Sequence, residues 1–433
     1  MDLADIKRIM QTQQNERDGL LRSEKIIDRE TGLDTVETAL SHPNVLAVLG
    51  PRRCGKSVFS WRALEGKVFG CLNFDEPDLL GMRTKDLELV LRAMYELYGT
   101  DVGHIILDEP QNVPGWELFV NRLRRTKRVI ITGSNASLFS GELSSRLTGR
   151  HVDFELHPFS FREFLDLKGV PRSQLRPPDM TTETNASAGA LLGEYMKMGG
   201  FPEAYKFGTK ILKTIFNDIV RRDVTERYGI RNGDAAEAMA RELVSMSARE
   251  ISYSRFRSAD GVKKVRTVRE YISHFREARL MFMLHRFSFK LRQQQIAPKK
   301  IYCVDTGMSN AVSFRVSGDL GAQMENLVAS ELLRRRDYFR SELEIYYWKD
   351  ARQREVDFVL KEGPKVVGLI QSCYDAGEAK TRDREVRALV EASHQLRCRD
   401  LSVLTWDYEA EQETEGRQIR FRPLWKWLME PSG

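Results

Sequence analysis

The stretch that most limits what this chain can fold into is "VLAVLGPRRCGKSVFSW" at residues 45–61. An apolar run meets a glycine-bearing loop and then a helical pattern, with Gly-x-x-x-x-Gly-Lys-Ser complete from Gly50 to Ser57. Gly50 and Gly55 permit torsions that strain other residues, so successive N–H groups can turn towards one point. The positive dipole end of the following helix adds to the same point, and the whole suits phosphate groups. In this reading Lys56 reaches the β- and γ-phosphates of ATP and the Ser57 hydroxyl holds Mg²⁺. Pro51, Arg52, Arg53, Cys54 and Val58 complete the nucleotide contact. Cys54 reads as a tolerated small residue rather than a redox switch.

A second element decides between a nucleotide loop and a chance glycine turn. "HIILDEPQ" puts Asp108 and Glu109 at the end of an apolar run. Asp108 would hold the metal through Ser57 or water, and Glu109 would orient and polarise the attacking water. A further run, "RVIITGSN", ends in Ser134 and Asn135, polar side chains suited to sensing the γ-phosphate. Arg146 and Arg150 follow as candidate transition-state arginines, with Arg150 the better placed. Such an arginine is often supplied by a neighbouring copy, which would tie activity to a homo-oligomer, a hexameric ring among the forms considered.

The apolar runs "NVLAVLG", "VFGCLNFD", "HIILDEP", "RVIITGSN" and "HVDFELHPF" alternate with helical patterns, which predicts an α/β fold with a parallel sheet covered by helices. The expected organisation is a helical lead-in at 1–30 and a P-loop ATPase core at 31–171. A linker rich in Pro, Ser and Thr is expected at 172–189, a helical and winged-helix domain at 190–305, and a last α/β block at 320–433. A chain of 433 residues exceeds what one core usually serves. Five scattered cysteines and seven dispersed histidines show neither a disulfide framework nor zinc spacing. With no long apolar run and a charged start, a reducing, cytoplasmic setting and no membrane partner are expected.

The net charge of +6 is unevenly spread. Residues 255–300 hold thirteen Lys or Arg against three acids, so the rest of the chain sums to a negative value. Here "VRTVREYISHFREARL" reads as a helix burying Val268, Ile272, Phe275 and Leu280. Helix, turn, helix and two strand-like runs joined by a basic loop form a winged-helix arrangement. Lys263, Lys264, Arg266, Arg269 and Arg276 are left for solvent, and Lys290, Arg292, Lys299 and Lys300 lie along the loop and its flank. The functional reading is DNA, held mainly through phosphates and with weak sequence preference.

Across its length the chain resembles the archaeal-type AAA-like ATPases. The blocks that carry the resemblance are "GPRRCGKS", "IILDEPQNVPGWE", "ITGSNASLFSGELSSRLTGR", "FELHPFSFREFL", "YMKMGGFPEAY", "DIVRRDVTERYGI", "ARQREVDFVL" with "LIQSCYD", and "FRPLWKWLME". The resemblance implies an additional-strand core joined to a winged-helix segment and a C-terminal nuclease-like domain. It also implies a sensor at Ser134 or Asn135, and packing roles for Phe159, Phe161 and Phe164. The last block resembles PD-(D/E)XK nucleases, with Glu325 and Glu331 on a helix and Asp357 on a strand. At the acid and lysine positions, however, stand Gln371 and Cys373. A glutamine brings no negative charge and a cysteine no ammonium, so nuclease chemistry is not expected. The leading expectation is a Mg²⁺-dependent ATPase coupled to DNA. A nucleotide switch without translocation is the alternative, and an ATP-gated nuclease ranks last.

Overall fold

The computed structural model describes residues 1–31, 33–134, 147, 149–175, 181–258, 264–313 and 319–431. Contacts divide the chain into two compact units, Met1–His157 and Pro158–Gly433.

The first unit is built on the five runs read from the sequence: β1 Val45–Leu49, β2 Phe69–Asn73, β3 His104–Asp108, β4 Arg128–Gly133 and β5 His151–Glu155. All are parallel and stand in the order β2-β3-β4-β1-β5. β4 therefore separates β1 from β3, the additional-strand order that the resemblance implied. β1 is buried at every residue, as a strand covered on both faces must be. The helix Leu87–Tyr98 buries Leu87, Val90, Ala93 and Met94, one stripe at helical spacing. The N-terminal helix Leu3–Ser23 starts from a capping box between Asp2 and Asp5 and buries Ile6, Ile9 and Met10. Its Gln13 amide bonds both backbone groups of Asn73 on the edge strand β2, at 3.1 and 2.9 Å. That pairing blunts a sheet edge that would otherwise offer unpaired N–H and C=O groups.

The second unit contains one nine-stranded mixed sheet, ordered β13-β14-β12-β11-β10-β9-β7-β8-β6. β6 Arg249–Ile251, β7 Met281–Arg286 and β8 Lys299–Cys303 form an antiparallel set beside the helices Gly233–Ser245 and Val265–Glu277. β9 Leu343–Lys349, β10 Glu355–Glu362 and β11 Lys365–Cys373 are antiparallel, followed by β12 Leu401–Thr405, β13 Ala410–Thr414 and β14 Arg417–Pro423. The two sets, expected as separate domains, are joined where β7 pairs parallel with β9 through His285–Tyr346 and Arg286–Tyr347. Joining them leaves fewer open edges than two small sheets would have.

The chain enters the second unit earlier than expected. The helix Phe161–Lys168, assigned to the ATPase core from sequence, begins at a capping box of Ser160 and Glu163 and buries Phe161, Phe164 and Leu165 against Leu192, Tyr195, Trp425 and Leu428. Part of the expected 172–189 linker is the start of the helix Thr182–Met198, capped by Thr181. Gly200 explains the "GGFPEAY" block. Its N–H donates to Asp305 Oδ2 at 2.6 Å and its carbonyl accepts from Phe159 N–H at 2.7 Å. A Cβ at Gly200 would lie 2.3 Å from the Phe159 carbonyl, so three distant segments cross where a side chain does not fit. Among the described residues, no helix is long and apolar enough to cross a membrane.

Candidate active site

At the carboxyl end of β1 the chain turns through Gly50 and enters the helix Lys56–Ala63 behind Gly55, whose φ is 99°. A Cβ at Gly50 would lie 2.3 Å from the Leu156 carbonyl, so β5 and the loop pack too closely for any other residue. Cys54 is fully buried, its Sγ 3.5 Å from the same carbonyl, and takes no exposed redox role. Arg53 holds the left-handed conformation at φ 65°, Arg52 pairs with Asp75 at 3.4 Å, Pro51 is buried, and Val58 is half-buried at the start of the helix.

The Lys56 ammonium lies inside the loop, donating to the Gly50 and Pro51 carbonyls at 3.1 and 3.0 Å. Ser57 Oγ donates to Asp108 Oδ2 at 2.5 Å, and Thr132 Oγ1 donates to Asp108 Oδ1. Asp108 and Thr132 are direct neighbours in the β3–β4 register. The next residue, Glu109, stands at φ 52° with its N–H on the Thr132 carbonyl at 3.2 Å, and Gln111 Nε2 donates to its carboxylate. Ser134 is fully buried just beyond β4. Asn135 and Arg146 lie outside the described residues. A cavity of about 220 Å³ opens beside Ser57 and Asp108, walled by Trp61, Cys71 and, from the N-terminal helix, Gln14 and Arg17.

Two functional placements were not legible in the sequence. Arg29 donates to the Cys54 carbonyl at 3.2 Å and to the His157 carbonyl at 2.5 Å, tying the phosphate loop to the segment after β5. Thr132 is the second. Arg150 sits at the other end of the sheet: its carbonyl accepts from Val45 N–H at 3.0 Å and its Nη1 lies 3.4 Å from Asn121 Oδ1. The length of β1, about 16 Å for five residues, separates it from the loop of its own chain.

In the second unit the expected anion contacts divide. Lys264, Arg266, Arg269, Arg276, Lys290 and Arg292 are exposed, Arg266 pairing with Glu270 at 2.9 Å, and Lys263 lies outside the described residues. Lys299 is half-buried against Tyr253. Lys300 corrects the sequence reading. It is 2 % exposed, and its ammonium contacts Glu325 at 2.8 Å, Glu355 at 2.5 Å and Asp357 at 2.9 Å, so it cannot lie along phosphates. Burial opposes its charge, but Asp357, Glu325 and Glu355 outweigh that and hold its pKa well above the usual lysine value. Burial, with Asp357 nearby, pushes the Glu325 carboxyl up.

Four of the five residues read as a degenerate nuclease site lie near one another. Asp357 N–H donates to Gln371 Oε1 at 3.2 Å, Gln371 Nε2 donates to Glu385 at 2.6 Å, and burial pushes the Cys373 thiol up to about 12. Glu331 does not join them. Six residues after Glu325, it points to another side of its helix and pairs with Arg334 and Arg335.

A family model of an AAA domain matches residues 42–165, and two models described as domains of unknown function, DUF8612 and DUF4143, match 189–319 and 320–421. A parallel sheet with this loop and the Ser57–Asp108 pair define a P-loop ATPase domain of the AAA type. The uncharacterized protein MJ1544 of Methanocaldococcus jannaschii is 30% identical over 431 residues, covering 95% of this chain and 92% of that one. The chain belongs to its family. An uncharacterized protein of Haemophilus influenzae is 26% identical over 94% of this chain and 100% of its own. Among solved structures, the Walker-type ATPase PABY2304 of Pyrococcus abyssi is 13% identical, with a TM-score of 0.44 over 67% of this chain and 97% of that one. The Aeropyrum pernix ORC1 protein in complex with DNA is 15% identical, with a TM-score of 0.28 over 72% and 94%.

Proposed function

We propose that this protein binds ATP with Mg²⁺ in the loop after β1, hydrolyses it, and couples the turnover to DNA held by its second unit. The observation that carries the reading is the Ser57–Asp108 contact of 2.5 Å beside the buried Lys56. A hydroxyl and a carboxylate in contact are the hard oxygen donors that Mg²⁺ takes. Bound Mg²⁺ would neutralise charge on the phosphate oxygens. Loop N–H groups and Lys56 bind the phosphates, Thr132 fixes the Asp108 rotamer, and Glu109 accepts a proton from water that it orients. Ser134 takes the sensor role at the γ-phosphate. Arg150 is assigned to the site of a second copy, so the active form is a homo-oligomer.

The DNA part is supported by the strand order β6-β8-β7 beside the helix Val265–Glu277, which we read as a winged helix, and by the exposed Lys264, Arg266, Arg269 and Arg276. The C-terminal segment is read as a nuclease-like fold without its chemistry, since Lys300 engages the carboxylates that a divalent cation would need.

Steady-state ATP hydrolysis with and without duplex DNA, at two protein and two salt concentrations, tests the whole. Turnover raised by DNA, suppressed by salt and rising more than linearly with protein concentration is expected. Turnover indifferent to DNA would leave a nucleotide switch. No turnover with Mg²⁺ at any protein concentration would sink the ATPase reading.

A further inference from the structure

The connection between β7 and β8 ends in an apolar tip. Phe289, Leu291 and Ile296 are 76, 74 and 73% exposed, three large apolar side chains within eight residues. The tip is built. Phe287 is buried at its base, with ring contacts to Phe289 at 5.1 Å and Tyr346 at 5.5 Å. Ser288 Oγ accepts from Lys290 N–H at 3.1 Å and donates to Gln293 at 2.8 Å, while Gln294 Nε2 donates to the Ser288 carbonyl at 2.6 Å. These bonds hold a helical turn, Leu291–Ile296, with its apolar residues pointing into solvent. Exposed apolar clusters of this kind mark contact sites.

The charge around the tip names the partner. Residues 287–300 contain no acid, and Lys290 and Arg292 stand exposed among the three apolar side chains. The basic track continues away from the tip. Lys299 Nζ and the Arg269 guanidinium lie over the same Tyr253 ring, at 5.8 and 5.2 Å. Arg269 belongs to the helix Val265–Glu277, about 20 Å long, which also exposes Arg266 and Arg276. A bilayer would meet the tip alone. A tip joined to a linear track of cations fits a stiff, linear polyanion.

We infer that the tip enters a groove of duplex DNA, where Phe289, Leu291 and Ile296 wedge into and unstack a base step while Lys290 and Arg292 hold the flanking phosphates. This rests on the DNA reading above and adds a mechanism to it, local distortion of the duplex rather than surface attachment.

The test uses the full chain, duplexes carrying 2-aminopurine, and fluorescence anisotropy across a salt series. Two variants are compared, F289S/L291S/I296S and K290Q/R292Q, both confined to exposed side chains and checked by thermal melting. Wild type should raise 2-aminopurine emission on binding. The apolar variant should lose that rise and bind about tenfold more weakly with an unchanged salt slope. The charge variant should flatten the slope by about two. If wild type binds DNA but the apolar variant keeps both affinity and emission, the wedge is wrong and the DNA reading stands. If wild type binds no duplex even at low salt, both fall, and tip-dependent flotation with anionic vesicles would reassign the surface to a membrane.

Discussion

Asp108 is held by hydroxyls on both oxygens, Ser57 on one and Thr132 on the other, which presents a fixed carboxylate at the mouth of the loop. Asp108→Asn and Ser57→Ala should each reduce Mg²⁺-dependent turnover by about 10²-fold or more, measured as steady-state phosphate release. Glu109→Gln should retain ATP binding with turnover arrested, and Lys56→Ala should lose ATP binding itself; normal turnover in Glu109→Gln would mean that another group is the base. Thr132→Val removes a buried donor while keeping shape. It should lower kcat about tenfold and leave ATP affinity nearly unchanged. Arg29→Ala frees the Cys54 carbonyl and should raise the KM for ATP with little change in thermal stability. The glycine–lysine–serine loop was legible because phosphate binding by backbone groups imposes a local spacing. Arg29 was not, because its partners Cys54 and His157 are brought to it only by the fold.

Among the elements, β8 shows most clearly what a strand decides that composition cannot. Lys299 and Lys300 are adjacent in sequence, but a strand turns successive side chains to opposite faces. One therefore rests on Tyr253 and the other enters a pocket of three carboxylates. Strand alternation predicts that the two differ. It does not name the inward one, whose partners Glu325 and Asp357 lie 25 and 57 residues further on. Lys300→Met should destabilise the second unit by about 3–5 kcal/mol, since it leaves buried carboxylates without a counter-charge. The pH dependence has a definite sign. With its pKa raised from 4.5 to about 8, Glu325 binds its proton more tightly in the folded chain, so this contribution is present in acid and declines as pH rises through that range. Lys300 lowers the Glu325 pKa within that value, so its loss makes the decline with pH larger, while the contribution of Lys300 itself is lost only as pH rises beyond the usual lysine value. Melting curves should therefore show a gap between variant and wild type that is wider at pH 8 than at pH 5. An equal gap at both would mean that Lys300 stabilises by packing alone.

For the whole molecule, the proposed function places no nuclease chemistry in the second unit. With Gln371 and Cys373 at the expected acid and lysine positions and Lys300 on Asp357, neither Mg²⁺ nor Mn²⁺ should support cleavage of plasmid or single-stranded DNA, as read by gel after prolonged incubation. The sequence by itself determined the five parallel strands of the first unit, the loop with Lys56 and Ser57, the Asp108–Glu109 pair, and the buried stripe of Val268, Ile272 and Phe275. Each of these follows from local periodicity or from chemistry that needs a fixed spacing. Only the tertiary structure decided that β7 pairs with β9 to make one sheet of two expected domains, that Phe161 and Phe164 pack in the second unit, that Arg150 faces away from its own loop, and that Lys300 is an internal cation. These depend on pairings between distant segments, where one apolar run or one charge has many possible partners and packing and desolvation select among them.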